Sequence, residues 1–424
     1  VRAERVANAL LRAGHEVHVI TARLPKEARV SRAEAPGLTI TPVRSWPHPL
    51  HLYRKVKERV AGSREATGPS PAGQPQLARA TQWKSPPEMA GWKRGLLSIL
   101  RTPDEYQGFV IPVFARAVGA ARDGADLIYT TSPPHSAHLV GLLAQRLLGL
   151  RWAAELRDPW VDNQAQRAGD AEVSSRLAEA TDAILERRCL TAADRVFTVT
   201  ERAAAALEER IPELRGEVVV VRNGIDRLGY ESRTRGPGIG GGRDPRPVLE
   251  ALADLGREFD QPADQLRLDM VGNCRFYQDV DLAGLCRQLG IADLVHFTPW
   301  LDHGEVRTLQ EESDLLVLLA QEQPAQVPNK LYEYLGAGAP ILALADADGE
   351  SAAMLREVGG HYLVPADGST VAGALRKAYR GFRRGQPFAG DGPAADVLQK
   401  WSTERQFGML VEELGLAPTS ARAL

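Results

Sequence analysis

Residues Asp126–Leu156 have the sequence DLIYTTSPPHSAHLVGLLAQRLLGLRWAAEL, in which short and longer apolar patterns alternate. Asp126–Thr131 and Arg151–Leu156 are apolar runs of the length that strands have. Ser136–Leu148 lies between them and has the longer apolar pattern of a helix. A strand, a helix and a second strand in this order give two parallel strands with the helix on one face. The stretch therefore predicts one unit of a parallel sheet covered by helices.

The same alternation extends along the rest of the chain. Further strands are predicted at 15–21, 195–200, 218–222, 266–271, 295–298, 315–320, 341–345 and 361–364, with helical patterns between most of them. Ten strands that divide near residue 225 predict an α/β fold with two Rossmann-like, doubly wound domains, 1–225 and 226–393. A last helix at about 394–414, in the tail 394–424, has no strand after it, and we expect it to pack back across both domains.

We expect two strands that such domains need to be absent from this sequence. The chain opens in a helical pattern at Val1–Ala13, so we expect a first strand and the true N-terminus to precede it. The Gly-rich stretch 235–244 stands where the second domain should begin with a strand. This strand is central in a doubly wound sheet, and its loss leaves neighbouring backbone groups unpaired at about 1–3 kcal/mol each. We expect lower stability and activity than in a chain with both strands restored.

Composition and charge exclude several classes of protein. The 424 residues are 44% hydrophobic and 25% charged, which excludes a wholly disordered chain, a collagen and a disulfide scaffold. Three cysteines without a Cys-x-x-Cys pair indicate a reducing compartment, and we expect a cytoplasmic protein. No apolar run approaches the roughly 20 residues that span a bilayer. The net charge of −2 and the lack of an RNA or DNA motif indicate no nucleic-acid partner.

One segment differs strongly in charge from the rest of the chain. Residues 44–101 contain eleven lysines and arginines but three acidic residues, and the aromatic residues Trp46, Tyr53, Trp83 and Trp92 are interspersed among them. A solvated basic face is one interpretation of this pattern. Contact with an anionic membrane surface, or with an acceptor that carries a diphosphate, is the other.

The stretch Val327–Pro340, VPNKLYEYLGAGAP, has the features of an anion-binding helix. Pro328 suits a helix start, and Asn329 can cap amides there. Lys330 and Glu333 are three residues apart and share a helical face, so the lysine adds its charge to the helix dipole. The glutamate can accept hydrogen bonds from two hydroxyls, as a ribose offers. A surface ion pair between the two side chains remains an alternative.

Four motifs in the same order resemble the family 4 glycosyltransferases, which have the GT-B fold. Val327–Pro340 resembles their motif for the sugar nucleotide, Pro-x-Lys-x-x-Glu-Tyr-x-x-x-Gly-x-Pro. Tyr129–Leu143 resembles the strand and Ser-Pro-Pro turn of a subgroup that builds bacterial polysaccharides and other glycoconjugates. Glu155–Trp160 matches its Arg-Asp-x-Trp loop, and Arg222–Asp226 matches the Asn-Gly-Ile-Asp that ends the first domain. The resemblance covers essentially the whole chain and implies two Rossmann-like domains facing a cleft.

The resemblance also implies roles for residues of the second domain. Glu333 would hold the ribose hydroxyls of a nucleoside diphosphate sugar, with Asn329 beside it. Lys330 and Arg243 would face the diphosphate, each through charge-assisted hydrogen bonds of roughly 1.5–3 kcal/mol. The wider family usually has a second glutamate eight residues before Glu333, and Ala325 stands there in this chain.

In the first domain, the resemblance gives Arg157 and Asp158 the catalytic role. They follow the strand Arg151–Leu156, at the strand end where such folds bind ligands, and would orient donor or acceptor hydroxyls. A capping aspartate beside a structural arginine is the alternative. His138 lies on the helix Ser136–Leu148, before this strand, where it either packs in the core or points into the same site.

The activity that the resemblance implies is the transfer of a sugar from a nucleoside diphosphate sugar to a hydroxyl. UDP is the most frequent nucleotide in the family, and the acceptor would be a glycan, a lipid-linked glycan or a metabolite. The anomeric configuration would be retained, and peripheral membrane contact would follow from residues 44–101. We expect no cofactor besides this donor and no metal, since no Asp-x-Asp motif or zinc spacing occurs. A sugar-nucleotide epimerase and a non-catalytic binding module of the same fold are the alternatives.

Overall fold

Strands and helices alternate along the described chain. The computed structural model describes residues 2–23, 35–46, 102–161, 176–226, 243–258, 266–365 and 370–416. The strands are β1 (Val17–Ala22), β2 (Leu38–Val43), β3 (Leu127–Ser132), β4 (Arg151–Leu156), β5 (Arg195–Thr198), β6 (Val218–Val220), β7 (Leu268–Val271), β8 (Phe276–Tyr277), β9 (Val280–Asp281), β10 (Val295–Thr298), β11 (Leu316–Ala320), β12 (Ile341–Ala345) and β13 (Tyr362–Pro365).

The helices cover the stretches between most of these strands. They are α1 (Arg2–Arg12), α2 (Val110–Arg122), α3 (Ser136–Leu148), α4 (Arg176–Leu190), α5 (Glu201–Arg210), α6 (Arg246–Glu258), α7 (Leu282–Leu289), α8 (His303–Glu311), α9 (Asn329–Ala337), α10 (Glu350–Val358), α11 (Val371–Arg383), α12 (Ala395–Lys400) and α13 (Thr403–Glu413). Within the described ranges, no helix is both long and apolar enough to cross a membrane.

The chain divides into two compact units. The first unit consists of Glu16–Phe197 and Ile211–Val218. The second consists of Val1–His15, Thr198–Arg210 and Val219–Leu424. Helix α1 thus belongs to the second unit, whereas the division near residue 225 assigned it to the N-terminal domain. The reason is that α1 packs beside α13, with the Arg2 guanidinium 5.0 Å from the centre of the Phe407 ring.

The first unit is built on the predicted strand–helix–strand stretch. Its sheet has the order β3–β4–β5–β6, and β3 pairs with β4 in parallel from Leu127 opposite Arg151 to Ser132 opposite Leu156. Strand β4 is buried from Trp152 onward, as expected of a strand covered on both faces. The predicted bounds of α3 and β4 agree with the structure, because a long apolar run and a short one are distinguished by length alone.

The first unit also contains a strand that the sequence analysis missed. Leu38–Val43 forms β2, which pairs with β1 in parallel along its whole length. Pro42 lies inside this strand, and a proline argues against a strand because it lacks an amide hydrogen. The two strands form a separate two-stranded sheet, in which β2 needs ladder bonds on one side only.

The second unit has its strands in two groups. One sheet has the order β11–β12–β13, and β10 pairs with β7 in a second, two-stranded sheet. Leu268 of β7 packs in the same apolar cluster as Val317 of β11, so the two groups share a core. No ladder joins β7 to β11 in the described part of the chain. Residues 235–242 of the Gly-rich stretch lie outside the described residues, so their replacement of a central strand remains a prediction.

The prediction of a single last helix at about 394–414 is wrong, because two helices occupy this range. Helix α12 ends at Lys400 and α13 begins at Thr403, with Ser402 accepting a hydrogen bond from the Arg405 amide at 3.3 Å. The break allows backbone pairing with the chain at Ile225, which donates to the Trp401 carbonyl at 2.7 Å and accepts from the Thr403 amide at 3.1 Å. A continuous helix would use these backbone groups internally.

Candidate active site

In the second unit, the candidate donor site lies at the start of α9. Strand β11 ends at Ala320, and a loop leads to Pro328, which occupies the N-cap position without a side-chain cap. Lys330 is exposed and Glu333 is half-buried. The Asn329 side chain caps no amide but donates to Glu333 Oε1 at 2.9 Å. Lys330 and Glu333 form no ion pair with each other, so both charges remain available to a ligand at the helix N-terminus.

The loop between β11 and α9 is held from several sides. The Gln323 amide donates to Asp346 at 2.9 Å, and the Thr200 hydroxyl donates to the Ala325 carbonyl at 2.8 Å. Glu322 has a φ of 57°, in the left-handed region that non-glycine residues rarely adopt. Ala325, which stands where the wider family usually has a second glutamate, therefore lies in a loop whose backbone groups are held by hydrogen bonds.

Arg243 lies at the same edge of the second unit. It precedes α6, where Asp244 binds Arg246 through two oxygens, at 2.9 and 2.6 Å. The Gln321 side chain, just after β11, donates to the Asp244 carbonyl at 3.0 Å. Burial lowers the pKa of Arg243. A guanidinium nevertheless stays protonated in proteins, so Arg243 carries a positive charge. No described residue pairs with this guanidinium, which makes it a free cation next to the loop before α9.

Cys274 lies just after β7, which ends at Val271. Its thiol donates to the Val271 carbonyl at 3.2 Å. Burial raises the pKa of Cys274, and the positive charge of Lys330 partly opposes this rise. Burial likewise raises the pKa of Tyr334 to about 12, with contributions from Glu333 and Cys274. The sequence analysis missed Cys274, although its place just after a parallel strand is a signal for a ligand edge.

In the first unit, Arg157 and Asp158 follow β4 as predicted. The Arg157 side chain donates to the carbonyls of Ser132 and Pro133, at 3.0 and 2.8 Å. Arg157 therefore holds the Ser-Pro-Pro turn, which matches the structural alternative for this residue. Burial raises the pKa of Asp158, and the charge of Arg157 partly offsets the rise.

Two histidines stack with Trp160 beneath this turn. His135 lies 5.0 Å from the Trp160 ring at an interplanar angle of 10°, and His138 lies 5.9 Å from it at 28°. His138 is fully buried, with Nδ1 2.9 Å from the Thr130 hydroxyl, so it is a packed histidine. The Trp160 indole donates to Asp182 at 3.1 Å. His135, which was not predicted, is 3% exposed and supports the loop that carries Asp158.

The described residues were also compared with the ligand sets of metal ions. In the described ranges, no three histidine, cysteine or acidic side chains come together in a way that could hold a metal ion. The cationic residues Lys330 and Arg243 of the second unit suit an anionic ligand.

The fold is that of the GT-B glycosyltransferases. The chain belongs to the glycosyl transferase 4-like domain family, whose model matches residues 1–224. The predicted family and fold are therefore confirmed. No curated protein sequence matches the chain.

Solved structures of similar fold agree with this assignment. Sucrose-phosphate synthase from Thermosynechococcus elongatus is 18% identical with a TM-score of 0.59, and the match covers 98% of this chain and 93% of that one. HepE from Anabaena in complex with UDP is 17% identical with a TM-score of 0.55, covering 73% and 83%. HepE in complex with UDP-glucose is 17% identical with a TM-score of 0.52, and the match covers 72% of this chain and 82% of that one. These likenesses concern the fold.

Proposed function

We propose that this glycosyltransferase transfers a sugar from a UDP-sugar to a hydroxyl of a glycan, a lipid-linked glycan or a metabolite. The observation that carries the proposal is the arrangement of charged side chains at the start of α9. An uncompensated Lys330 and a Glu333 oriented by Asn329 lie there. Arg243 is at the same edge of the second unit, where the Asp244 carbonyl accepts a hydrogen bond from Gln321. A structural neighbour with the same fold was solved in complex with UDP, which supports this nucleotide.

Each charge at this edge has a role in the proposed reaction. The helix dipole, Lys330 and Arg243 attract the diphosphate and stabilise the charge that develops on it as the sugar leaves. Glu333 accepts hydrogen bonds from the ribose hydroxyls, and its hydrogen bond with Asn329 fixes its orientation. Asp158 of the first unit orients a hydroxyl of the donor sugar or of the acceptor, and Arg157 holds the turn beside it.

Retention of the anomeric configuration is part of the proposal. The acceptor hydroxyl attacks on the face from which the diphosphate leaves, and a phosphate oxygen of the donor takes its proton. The oxygen–sugar bond forms as the sugar–phosphate bond breaks, so no protein nucleophile is required. Nuclear magnetic resonance of the first product distinguishes retention from inversion, and an inverted product would contradict this step.

The donor site is tested by thermal unfolding in the presence of UDP, GDP, ADP and inorganic pyrophosphate. A ligand at about 100 times its dissociation constant adds roughly 2.7 kcal/mol of stability. We expect UDP to raise the unfolding temperature of the wild type and to have a much smaller effect on Glu333→Ala. Glu412→Ala, an exposed glutamate on α13 of the same unit, is the matched control and should respond like the wild type.

The outcomes of this experiment separate the alternatives. If no nucleotide stabilises the folded protein, the chain has lost the donor site and acts as a binding module. If UDP-sugars are turned over without an acceptor, and the sugar is released as an epimer of the same nucleotide, the epimerase alternative replaces sugar transfer.

We also propose that residues 44–101 contact an anionic membrane surface, where a lipid-linked acceptor would be found. The support is their excess of eight positive charges and Trp46, which is 59% exposed at the start of the segment. The rest of the segment lies outside the described residues. Flotation with vesicles tests this: we expect binding that requires anionic lipid and weakens with salt. Binding to neutral vesicles alone would contradict the electrostatic form of the proposal.

A further inference from the structure

The loop between β11 and α9 is bound through its backbone at four consecutive residues. Each of these backbone groups has a partner elsewhere in the second unit, either just before α5 or in the segment 346–351. The four contacts are the Gln323 amide with the Asp346 carboxylate at 2.9 Å, the Pro324 carbonyl with the Glu350 amide at 2.9 Å, the Ala325 carbonyl with the Thr200 hydroxyl at 2.8 Å, and the Gln326 carbonyl with the Ser351 hydroxyl at 3.3 Å. The loop leads directly into Pro328, the N-cap of α9, so these contacts control the backbone that enters the candidate donor site.

Thr200 lies immediately before α5 and is fully buried. Its hydroxyl accepts a hydrogen bond from the Ala203 amide at 3.2 Å and donates one to the Ala325 carbonyl at 2.8 Å. The first of these bonds is an N-cap, which satisfies an amide in the first turn of the helix. The second is an anchor for the loop. A single buried hydroxyl thus connects the start of α5 with the loop that precedes α9.

Glu350, the first residue of α10, fixes the start of α5 against the same loop. Its amide binds the Pro324 carbonyl, and its carboxylate accepts hydrogen bonds from the Arg202 amide at 2.7 Å and from the Arg222 guanidinium at 3.2 Å. The carboxylate is buried, and these charged and polar partners offset the cost of its burial. Thr200 is therefore held in place on a helix start that cannot shift relative to the loop without breaking these bonds.

Two further features distinguish this loop from an ordinary connection. Glu322 keeps a φ of 57°, and a residue other than glycine stays in that region only where its surroundings hold it there. Ala325 has no polar side chain, so its backbone carbonyl is the group through which this position is fixed. The conformation of the loop is thus determined by its anchors, and the Thr200 hydroxyl supplies the shortest of them that comes from α5.

We propose that Thr200 is a positioning residue for the donor site, which holds the loop before α9 in the arrangement that binds the nucleotide. This inference rests on the proposed donor site. Thr200 acts through the Ala325 carbonyl and has no part in the transfer step. Without its hydroxyl the loop populates other arrangements, and the apparent affinity for the nucleotide falls by the fraction of molecules that remain competent.

The test compares UDP binding by the wild type, Thr200→Val and Thr200→Ser in calorimetric titrations. Valine has the shape of threonine but no hydroxyl, and we expect about tenfold weaker binding, which corresponds to about 1.4 kcal/mol. Serine keeps the hydroxyl and should retain most of the affinity. Tyr362→Phe is the matched control, because it also removes a buried hydroxyl that donates to a carbonyl of the same unit, that of Pro387 at 2.9 Å. It should bind UDP like the wild type.

Ser351→Ala tests the loop from its other side and carries the test if Thr200→Val does not fold. It removes the hydroxyl that binds the Gln326 carbonyl, and we expect a smaller loss of UDP affinity because this hydrogen bond is longer. Each variant is titrated at a temperature at which its thermal unfolding shows it to be fully folded. A general loss of stability therefore does not alter the measured affinity.

The outcomes separate positioning from a structural role. Wild-type affinity in both Thr200→Val and Ser351→Ala would overturn the inference, as would equal losses in Thr200→Val and Tyr362→Phe. If the wild type binds no nucleotide at all, the donor site itself fails.

Discussion

His135 and His138 show how burial alone determines a charge state. Burial lowers the pKa of His135 to about 4 and that of His138 to about 3, so both rings are neutral at pH 7. Asp104 raises the pKa of His135 and Arg157 lowers it, while His135 lowers that of His138. The unfolded chain binds protons at these rings below about pH 6.5, whereas the folded chain does not. Stability is therefore lost as the pH falls from about 6.5 towards 4.

Asp182 opposes this trend over part of the same range. Burial raises its pKa to about 6, although the hydrogen bond from Trp160 lowers it. A carboxyl with a raised pKa prefers to be protonated in the folded state. Its ionisation therefore costs stability as the pH rises from about 4 to 6. Two histidines outweigh one aspartate, so we expect a net loss of stability on acidification.

We expect His138→Gln to reduce the acid sensitivity of folding. The glutamine can still bond the Thr130 hydroxyl but takes up no proton. Its free energy of unfolding should therefore fall by roughly 2 kcal/mol less than that of the wild type between pH 6.5 and 4. Denaturant unfolding at both pH values measures this. Each protein is compared with itself, so a general destabilisation by the substitution cancels. The same pH dependence in both proteins would contradict the explanation.

At the scale of elements, the packing of α3 on β4 depends on one glycine. A Cβ at Gly141 would lie 2.2 Å from the indole of Trp152, which is itself fully buried. The indole also donates to the Thr130 hydroxyl at 2.8 Å, so it has little freedom to move. The close approach of helix and strand therefore requires a residue without a side chain at this position.

Gly141→Ala and Gly119→Ala should change stability in opposite directions. Gly141→Ala overpacks the α3–β4 contact and should lower the free energy of unfolding by about 1–3 kcal/mol. Gly119 lies inside helix α2, and a Cβ there meets no atom within 4 Å. Its replacement by alanine should stabilise the protein by roughly 0.5–1 kcal/mol through helix propensity alone. Thermal unfolding compares the two; destabilisation by both would show that the contact with Trp152 is not the cause.

At the scale of the whole molecule, the second unit joins distant parts of the chain through buried polar contacts. Arg5 of α1 donates to the Asn223 carbonyl at 2.6 Å and forms an ion pair with Asp226. Asp226 also accepts a hydrogen bond from Thr403 at the start of α13. The helix at the start of the chain, the segment after β6 and the last helix are thereby held together, although more than 170 residues separate Asp226 from Thr403.

Removal of Arg5 should therefore be costly. Arg5→Ala leaves Asp226 without its cation and the Asn223 carbonyl without a donor, and we expect a loss of about 3 kcal/mol. The matched control is Arg187→Ala, which breaks the exposed ion pair with Glu213 in the first unit. Exposed pairs contribute less than about 1 kcal/mol. Denaturant unfolding followed by tryptophan fluorescence measures both variants, and similar losses for the two would refute the role of burial.

The candidate site could be predicted from the sequence only in part. The motif around Lys330 and Glu333 identified the helix, because a lysine and a glutamate three residues apart share a face in any helix. The sequence placed Asn329 as a cap, whereas its amide binds Glu333. It left Arg157 with a catalytic or a structural role, and in the structure this side chain donates to two backbone carbonyls. Such partners are chosen by distances that no local pattern contains.

The sequence by itself determined the alternation of strands and helices, the class of fold and the family. These depend on the period of apolar residues and on short motifs, both of which are local properties of the chain. Only the tertiary structure decided the pairing of β2 despite Pro42, the break before α13 and the neutral state of His138. The tertiary structure also decided that the indole of Trp300 lies beside Gly272. These features arise from contacts between residues far apart in the sequence, where burial and packing outweigh local preference.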